Sequence, residues 1–268
     1  MQIGGRYFDT DNKCYIMGIL NMTPDSFSDG GKWGSIEAAL CHAEHMIAGG
    51  ADIIDVGGES TRPGYTDIAV NKEIDRTAPV IEALKNRFDI PVSIDTRKSA
   101  VAKAALEAGA VFINDVSGMK HDRDMPGLVA GAGAVCCIMH NRDNMDYNDF
   151  ITDLLDDIGE SVQKAKLAGV ADKKIIVDPG IGFAKSYEMN LKAINSLDVL
   201  KRLGYPVMLG ASRKSFIGAA LGTTVAERLE GSLAAAVIGV MRGCSFIRAH
   251  DVRETRRAVT MAEAILHG

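Results

Sequence analysis

The sequence predicts a single-domain α/β protein, a closed (β/α)8 TIM barrel with a short N-terminal extension. Eight short runs rich in Ile, Val, Leu and Met recur along the chain, most followed by a stretch with apolar residues at spacings of three and four. That alternation is expected of a parallel sheet wrapped in helices. No linker or compositional shift divides the 268 residues, a length such barrels commonly use as one domain, so residues 1–268 are read as one unit. A doubly wound open sheet also alternates strands and helices. It favours a glycine fingerprint after its first strand, whereas here the first strand runs into NMTPDSFSDGG, with no GxGxxG.

The expected strands are residues 14–20, 51–56, 91–94, 111–113, 134–139, 174–177, 206–209 and 245–248. Helical periodicity lies between them over 35–50, 67–88, 98–110, 149–169 and 226–243. Many of the 28 glycines fall into two groups. Some, such as Gly50, Gly131 and Gly133, stand where a helix should stop before the next strand. Others, such as Gly57, Gly180, Gly182 and Gly210, follow strands, where the backbone turns sharply or passes close to a ligand.

Composition narrows the partners. The net charge is −5 with Lys and Arg scattered, which argues against a protein that coats nucleic acid or an anionic membrane. No apolar run approaches the ~18 residues of a membrane span, and the N-terminus has no signal-like pattern. The five cysteines include no CxxC and read as reduced core residues of a cytoplasmic protein.

In such barrels the chemistry lies at the C-terminal strand ends. Here the apolar runs end in Asn21, Asp55, Asp95, Asn114 with Asp115, His140, Asp178, Ser212 to Lys214, and Arg248 with His250. Alternation puts Phe246, Arg248 and His250 on one face, so the two basic residues point together toward the axis as a candidate anion site. It likewise sets Asp95 and Asn114 opposite Ile94 and Ile113, on the mouth side of adjacent strands. Such walls suit a planar heterocycle that offers several N–H donors. A single Asp or Asn at a strand end more often caps the next helix; Asp95, Asn114 and Asp178 together with Lys214 and Arg248 are harder to explain that way. His42 and His45 have no third ligand in view and read as a solvated helix face, and His140 is left out of the catalytic set.

Seven segments then carry a resemblance: IMGILNMTPDSFSDGG (16–31), DIIDVGGESTRPG (52–64), SIDT (93–96), INDVSG (113–118), DPGIGF (178–183), LGASRKSFIG (209–218) and RAHDV (248–252). In this order they resemble the dihydropteroate synthases, over nearly the whole chain. The resemblance implies that 6-hydroxymethyl-7,8-dihydropterin pyrophosphate is condensed with p-aminobenzoate in a Mg²⁺-assisted, SN1-like substitution that releases pyrophosphate. By motif, Asp95, Asn114, Asp178 and Lys214 would bind the pterin, and Asn21 would touch Mg²⁺. Thr61, Arg62, Arg248 and His250 would surround the diphosphate, with Arg62, Asp95, Lys214, Arg248 and His250 as the catalytic set. Thr61, Pro63, Phe183, Ser212 and Lys214 would border p-aminobenzoate, with Phe27 closing over it. The resemblance also implies sulfonamide inhibition and a homodimer built on the later helices, such as the small-residue stretch GSLAAAVIGV. Two departures from the family pattern stand out, NRDNM after His140 and Ala184 where glycine is usual. A pterin-dependent methyltransferase of the same fold, or a catalytically silent pterin-binding paralogue, are the alternatives; Arg62, Lys214, Arg248 and His250 discriminate against the first.

Overall fold

The computed structural model describes residues 1–23, 31–59 and 67–268. The chain begins with a hairpin, β1 (Gln2–Ile3) against β2 (Arg6–Tyr7), turned by Gly4 and Gly5. Both glycines have positive φ, +55° and +83°, as a two-residue turn of this hand requires. Gly-Gly between Ile3 and Arg6 is the local signal for this hairpin, which the expected "extension" did not include.

Eight parallel strands follow: β3 (Tyr15–Asn21), β4 (Ile53–Gly57), β5 (Val92–Asp95), β6 (Phe112–Asp115), β7 (Val135–Met139), β8 (Ile175–Asp178), β9 (Met208–Leu209) and β10 (Phe246–Ala249). They pair in the order β8-β7-β6-β5-β4-β3-β10-β9. The ring closes through a parallel bridge between Val177 and Val207, with the Val177 N–H donating to the Pro206 carbonyl at 3.0 Å. All eight expected strands are present, most starting one or two residues later than the apolar run because the first residue still belongs to the turn. The helices are α1 (Gly31–Ala48), α2 (Val70–Arg87), α3 (Ser99–Glu107), α4 (Met125–Ala132), α5 (Phe150–Leu167), α6 (Tyr187–Asn195), α7 (Leu197–Leu200), α8 (Ser215–Leu221), α9 (Leu229–Met241) and α10 (Val252–His267). Among the described residues no helix is long and apolar enough to cross a membrane.

Two apolar layers result from the two-residue period of the strands. Outward residues such as Ile16, Ile54, Ile94, Ile113, Val177 and Ile247 pack against the helices. Inward residues Met17, Ile53, Phe112, Val135, Ile176 and Phe246 fill the lower barrel, where Ile3 and Phe8 of the N-terminal segment plug its floor. Phe8 meets Tyr15 edge to face at 4.7 Å between ring centroids. Cys136 and Cys137 divide between the outer and inner layers, as adjacent strand residues must. Four cysteines are buried, but Cys41 is exposed on α1, against the expectation of a core residue.

Two further expectations are corrected. Gly133 carries the left-handed stop of α4 at φ +59°, whereas Gly131 lies inside that helix. The small residues of GSLAAAVIGV mostly face inward: Ser232, Ala235, Ala236 and Gly239 are the buried face of α9. A Cβ on Gly239 would lie 2.7 Å from Leu209 Cδ2, so the small side chain serves close packing of α9 on β9.

Candidate functional site

At the upper end of the barrel the inward face changes from apolar to charged. Asp55 of β4, Asp95 of β5, Asn114 of β6, Asp178 at the end of β8 and Arg248 of β10 converge there, all but Arg248 less than a tenth exposed. Arg248 ties three strands together. Its Nε donates to Asp55 Oδ2 at 2.6 Å and its Nη2 to Asp95 Oδ2 at 2.7 Å, while Asn114 Nδ2 donates to the same Asp55 oxygen at 3.2 Å. Side chains from β4 and β10 can meet this way only because β3 lies between them in the closed ring.

The second oxygens, Asp55 Oδ1 and Asp95 Oδ1, are buried and have no hydrogen-bond partner among the described residues. Leaving a buried acceptor unpaired costs about 1–3 kcal/mol, so these two atoms mark where a ligand's donors belong. Burial pushes the Asp95 carboxyl upward, with Arg248 opposing and Asp55 adding to the rise. Asp178 is also raised by burial, against the pull of Lys214 and of the Gly180 N–H, which it accepts at 2.6 Å.

Lys214 enters from the β9–α8 connection. Its Nζ donates to the Ile181 carbonyl and stands 4.8 Å from the centroid of the Phe183 ring, a cation–π contact. Burial lowers Lys214 to about 8, with Asp178 opposing. The next side chain over is His250, whose Nδ1 lies 3.0 Å from Ser212 Oγ. The Ser212 hydroxyl therefore fixes the imidazole plane. Gly57 and Gly210 keep the floor of this mouth open: a Cβ on Gly57 would sit 3.4 Å from Asn21 Oδ1 and 3.7 Å from Asp95 Cβ, and one on Gly210 would sit 3.7 Å from Asp178 Oδ2. Asn21 and Asp95 thus border one small glycine cradle.

Asp95, Asn114, Asp178, Lys214, Arg248, Ser212, His250, Phe183 and Asn21 are therefore all at this end of the barrel. Phe27, Thr61, Arg62 and Pro63 lie outside the described residues. Sequence reasoning passed over two others. Asp55 was noted as a strand end but not placed in the site, although its spacing two after Ile53 was the same signal that singled out Asp95 and Asn114. Lys185, buried behind the β8–α6 loop, had no such signal. His140 is buried, its Nε2 2.9 Å from Asp157 Oδ2 of α5. A cavity of about 810 Å³ opens beside Phe183, with Arg97, Lys120 and Arg142 among its lining residues.

Against known proteins, the family described as pterin binding enzyme matches residues 17–250. A dihydropteroate synthase from Clostridium beijerinckii is 55% identical over 267 residues, covering 99% of both chains. The crystal structure of a Clostridium difficile dihydropteroate synthase in the presence of pteroic acid is 45% identical with a TM-score of 0.95, covering 98% of this chain and 100% of that one. A Yersinia pestis dihydropteroate synthase with a sulfonamide drug complex is 39% identical with a TM-score of 0.94, covering 100% and 99%. Full-length identity at this level, joined to a barrel mouth whose buried Asp55 and Asp95 each keep one oxygen without a partner among the described residues, places the chain in the dihydropteroate synthase family of pterin-binding enzymes.

Proposed function

We propose that the barrel mouth carries out the dihydropteroate synthase reaction, joining 6-hydroxymethyl-7,8-dihydropterin pyrophosphate to p-aminobenzoate, with the side chains divided as follows. Asp95, Asn114 and Asp178 take the donor-rich edge of the pterin; Asp55 holds Arg248 and Asn114 in register. The observation that carries this reading is the pair of buried oxygens on Asp55 and Asp95 that have no partner among the described residues. A ring offering N–H groups satisfies them, whereas an anion without a proton to donate does not.

Arg248 and His250 stabilise the diphosphate as negative charge builds on it, and Ser212 holds the imidazole for that task. The C–O bond from the pterin methylene to diphosphate breaks first. Three carboxylates around the ring favour the electron-poor methylene that this leaves. The aniline nitrogen of p-aminobenzoate then forms the new C–N bond, and its proton leaves to solvent or pyrophosphate. Phe183, Lys214 and Ser212 border the aminobenzoate together with Phe27, Thr61 and Pro63, while Thr61 and Arg62 join Arg248 and His250 around the diphosphate in our reading. The donor set around Asn21 fits a Mg²⁺ ion that keeps its waters and takes phosphate oxygens, because the glycine cradle offers a side-chain oxygen. Among the described residues no group of three or more His, Cys, Asp or Glu forms a closed metal cage. Bound there, Mg²⁺ supplies positive charge to the diphosphate.

We further read the protein as a cytoplasmic homodimer. Ile238 and Met241 of α9 and Met261, Ile265 and Leu266 of α10 form an exposed apolar surface that a second copy would cover. Incubating the purified protein with the pterin pyrophosphate, p-aminobenzoate and Mg²⁺ should yield dihydropteroate and pyrophosphate in equal amounts, with sulfonamides inhibiting. Absence of product at every metal concentration overturns the reading. Pyrophosphate release that never occurs without p-aminobenzoate, and tracks aniline nucleophilicity, overturns the SN1-like order of steps.

A further inference from the structure

Behind the mouth lies a chain of polar groups, half-buried at Arg142 and Asp157 and buried at His140 and Lys185, that the proposed chemistry does not use. Arg142 Nε donates to Asp157 Oδ2 at 2.5 Å, and against the upward push of burial the bonds from Arg142 and His140 hold Asp157 below the usual carboxylate range. A carboxylate accepts only, so the His140 nitrogen facing it, Nε2 at 2.9 Å, carries the ring proton. The other nitrogen, Nδ1, is then an acceptor, and Lys185 Nζ stands 2.8 Å from it. Lys185 also donates to the Phe183 carbonyl at 3.0 Å. Both Lys185 and His140 are buried.

The loop that receives these bonds, residues 180–185, has little freedom of its own to choose this shape. Gly180, Gly182 and Ala184 all have positive φ, and at Ala184 (φ +45°) the side chain makes that conformation costly. Side-chain bonds therefore hold it: Asn190 Oδ1 accepts from the Gly182 N–H at 2.6 Å, Tyr147 donates to the Ala184 carbonyl at 2.9 Å, and two lysines, Lys214 from outside the loop and Lys185 at its end, donate to carbonyls two residues apart. Lys214 takes Ile181 and Lys185 takes Phe183.

We propose that Lys185 is a positioning residue for the p-aminobenzoate half of the reaction, held by His140 Nδ1 so that its bond to the Phe183 carbonyl aims the Phe183 ring at Lys214. This rests on the reading of Phe183 and Lys214 as walls of the aminobenzoate pocket. Burial lowers Lys185 to about 7, Asp178 opposing; charged or neutral, the amine can still donate to the Phe183 carbonyl.

Steady-state kinetics on four variants test the inference. Phe183→Ala checks the underlying reading. Lys185→Met removes the donor; His140→Gln keeps a donor toward Asp157 but removes the acceptor at the Nδ1 position, and His140→Asn restores an acceptor there while losing Asp157. Lys185→Met and His140→Gln should raise KM for p-aminobenzoate about tenfold, the loss of one charge-assisted bond, with kcat and pterin affinity within about threefold. His140→Asn should stay within about threefold of the parent throughout. Should Lys185→Met fail to fold, the two His140 variants decide alone. An unchanged KM in Phe183→Ala overturns the pocket reading and this role with it. A raised KM in Phe183→Ala with Lys185→Met and His140→Gln within about twofold of the parent overturns the role of Lys185 only. So does equal impairment of His140→Asn and His140→Gln, which would make the chain a packing element.

Discussion

The floor and the mouth of the barrel are built from the same faces of the same strands, two residues apart. Ile53 precedes Asp55, Phe112 precedes Asn114, Ile176 precedes Asp178 and Phe246 precedes Arg248. The lower member of each pair packs in a closed apolar cluster under the N-terminal hairpin, whereas the upper member joins a charged network with unpaired oxygens. One step of the strand period thus separates a layer that stabilises the fold from one whose polar groups are left incompletely satisfied. Backbone geometry divides in the same way. The three non-glycine residues with positive φ among the described residues, Met119, Ala184 and Arg213, all lie on loops that follow strands at the mouth.

The largest expected effects come from exchanging one member of each layer. Asp95→Ala should reduce pterin affinity about 100-fold or more, yet change stability by only about 1 kcal/mol, since Arg248 keeps Asp55 and a carboxyl that burial disfavours is gone. Phe112→Ala should do the reverse, costing about 3–5 kcal/mol in denaturant unfolding while KM values of the folded enzyme stay within about twofold. Equal loss of stability in both would break the division between floor and mouth.

A smaller effect concerns charge at the mouth. Lys214 is lowered to about 8 by burial, so its ammonium is present below that pH and lost above it. The kcat/KM profile should fall on the alkaline side with a midpoint near 8, and Lys214→Arg should move that limb upward by more than a unit even where the absolute rate drops. The sign for stability is opposite. The folded value lies below the ordinary lysine value, so the unfolded chain holds more protons between about 8 and 10.5, and this residue's contribution to folding rises with pH across that window. A profile flat to pH 10 would remove Lys214 from the charged set.

The smallest expected effect is at Ala184. Replacing it with glycine removes a side chain from a left-handed conformation and should stabilise the fold by up to about 1 kcal/mol, read by chemical denaturation. No gain would mean that Tyr147, Asn190 and Lys185 already offset the strain.

Much of the site was legible before any coordinates because strand ends in a parallel barrel point one way and alternate with period two. That is why Asp95, Asn114, Asp178 and Arg248 were found together. Asp55 obeyed the same rule and was overlooked in favour of the motif residues beyond it, Thr61, Arg62 and Pro63. Lys185 could not have been found by alternation. It lies on a loop, and only the fold of that loop around Gly180 and Gly182 brings its amine to His140. The floor hairpin was marked by Gly4 and Gly5, but its role depends on Ile3 and Phe8 reaching the interior of a barrel whose other residues lie up to some 240 positions away.

Local sequence therefore determined the strand count, the inward and outward faces and the polarity of the two ends, since these follow from a two-residue period and from the cost of burying unpaired charge. The tertiary structure alone decided which charges pair. Arg248 meets Asp55 and Asp95 because the ring closes and brings β10 beside β3, and Lys185 meets His140 because the β8–α6 loop lies against the C-terminal end of the neighbouring strand β7. Such pairings depend on distances through space of a few ångströms between residues from 45 to nearly 200 positions apart, and no local pattern of residue types specifies them.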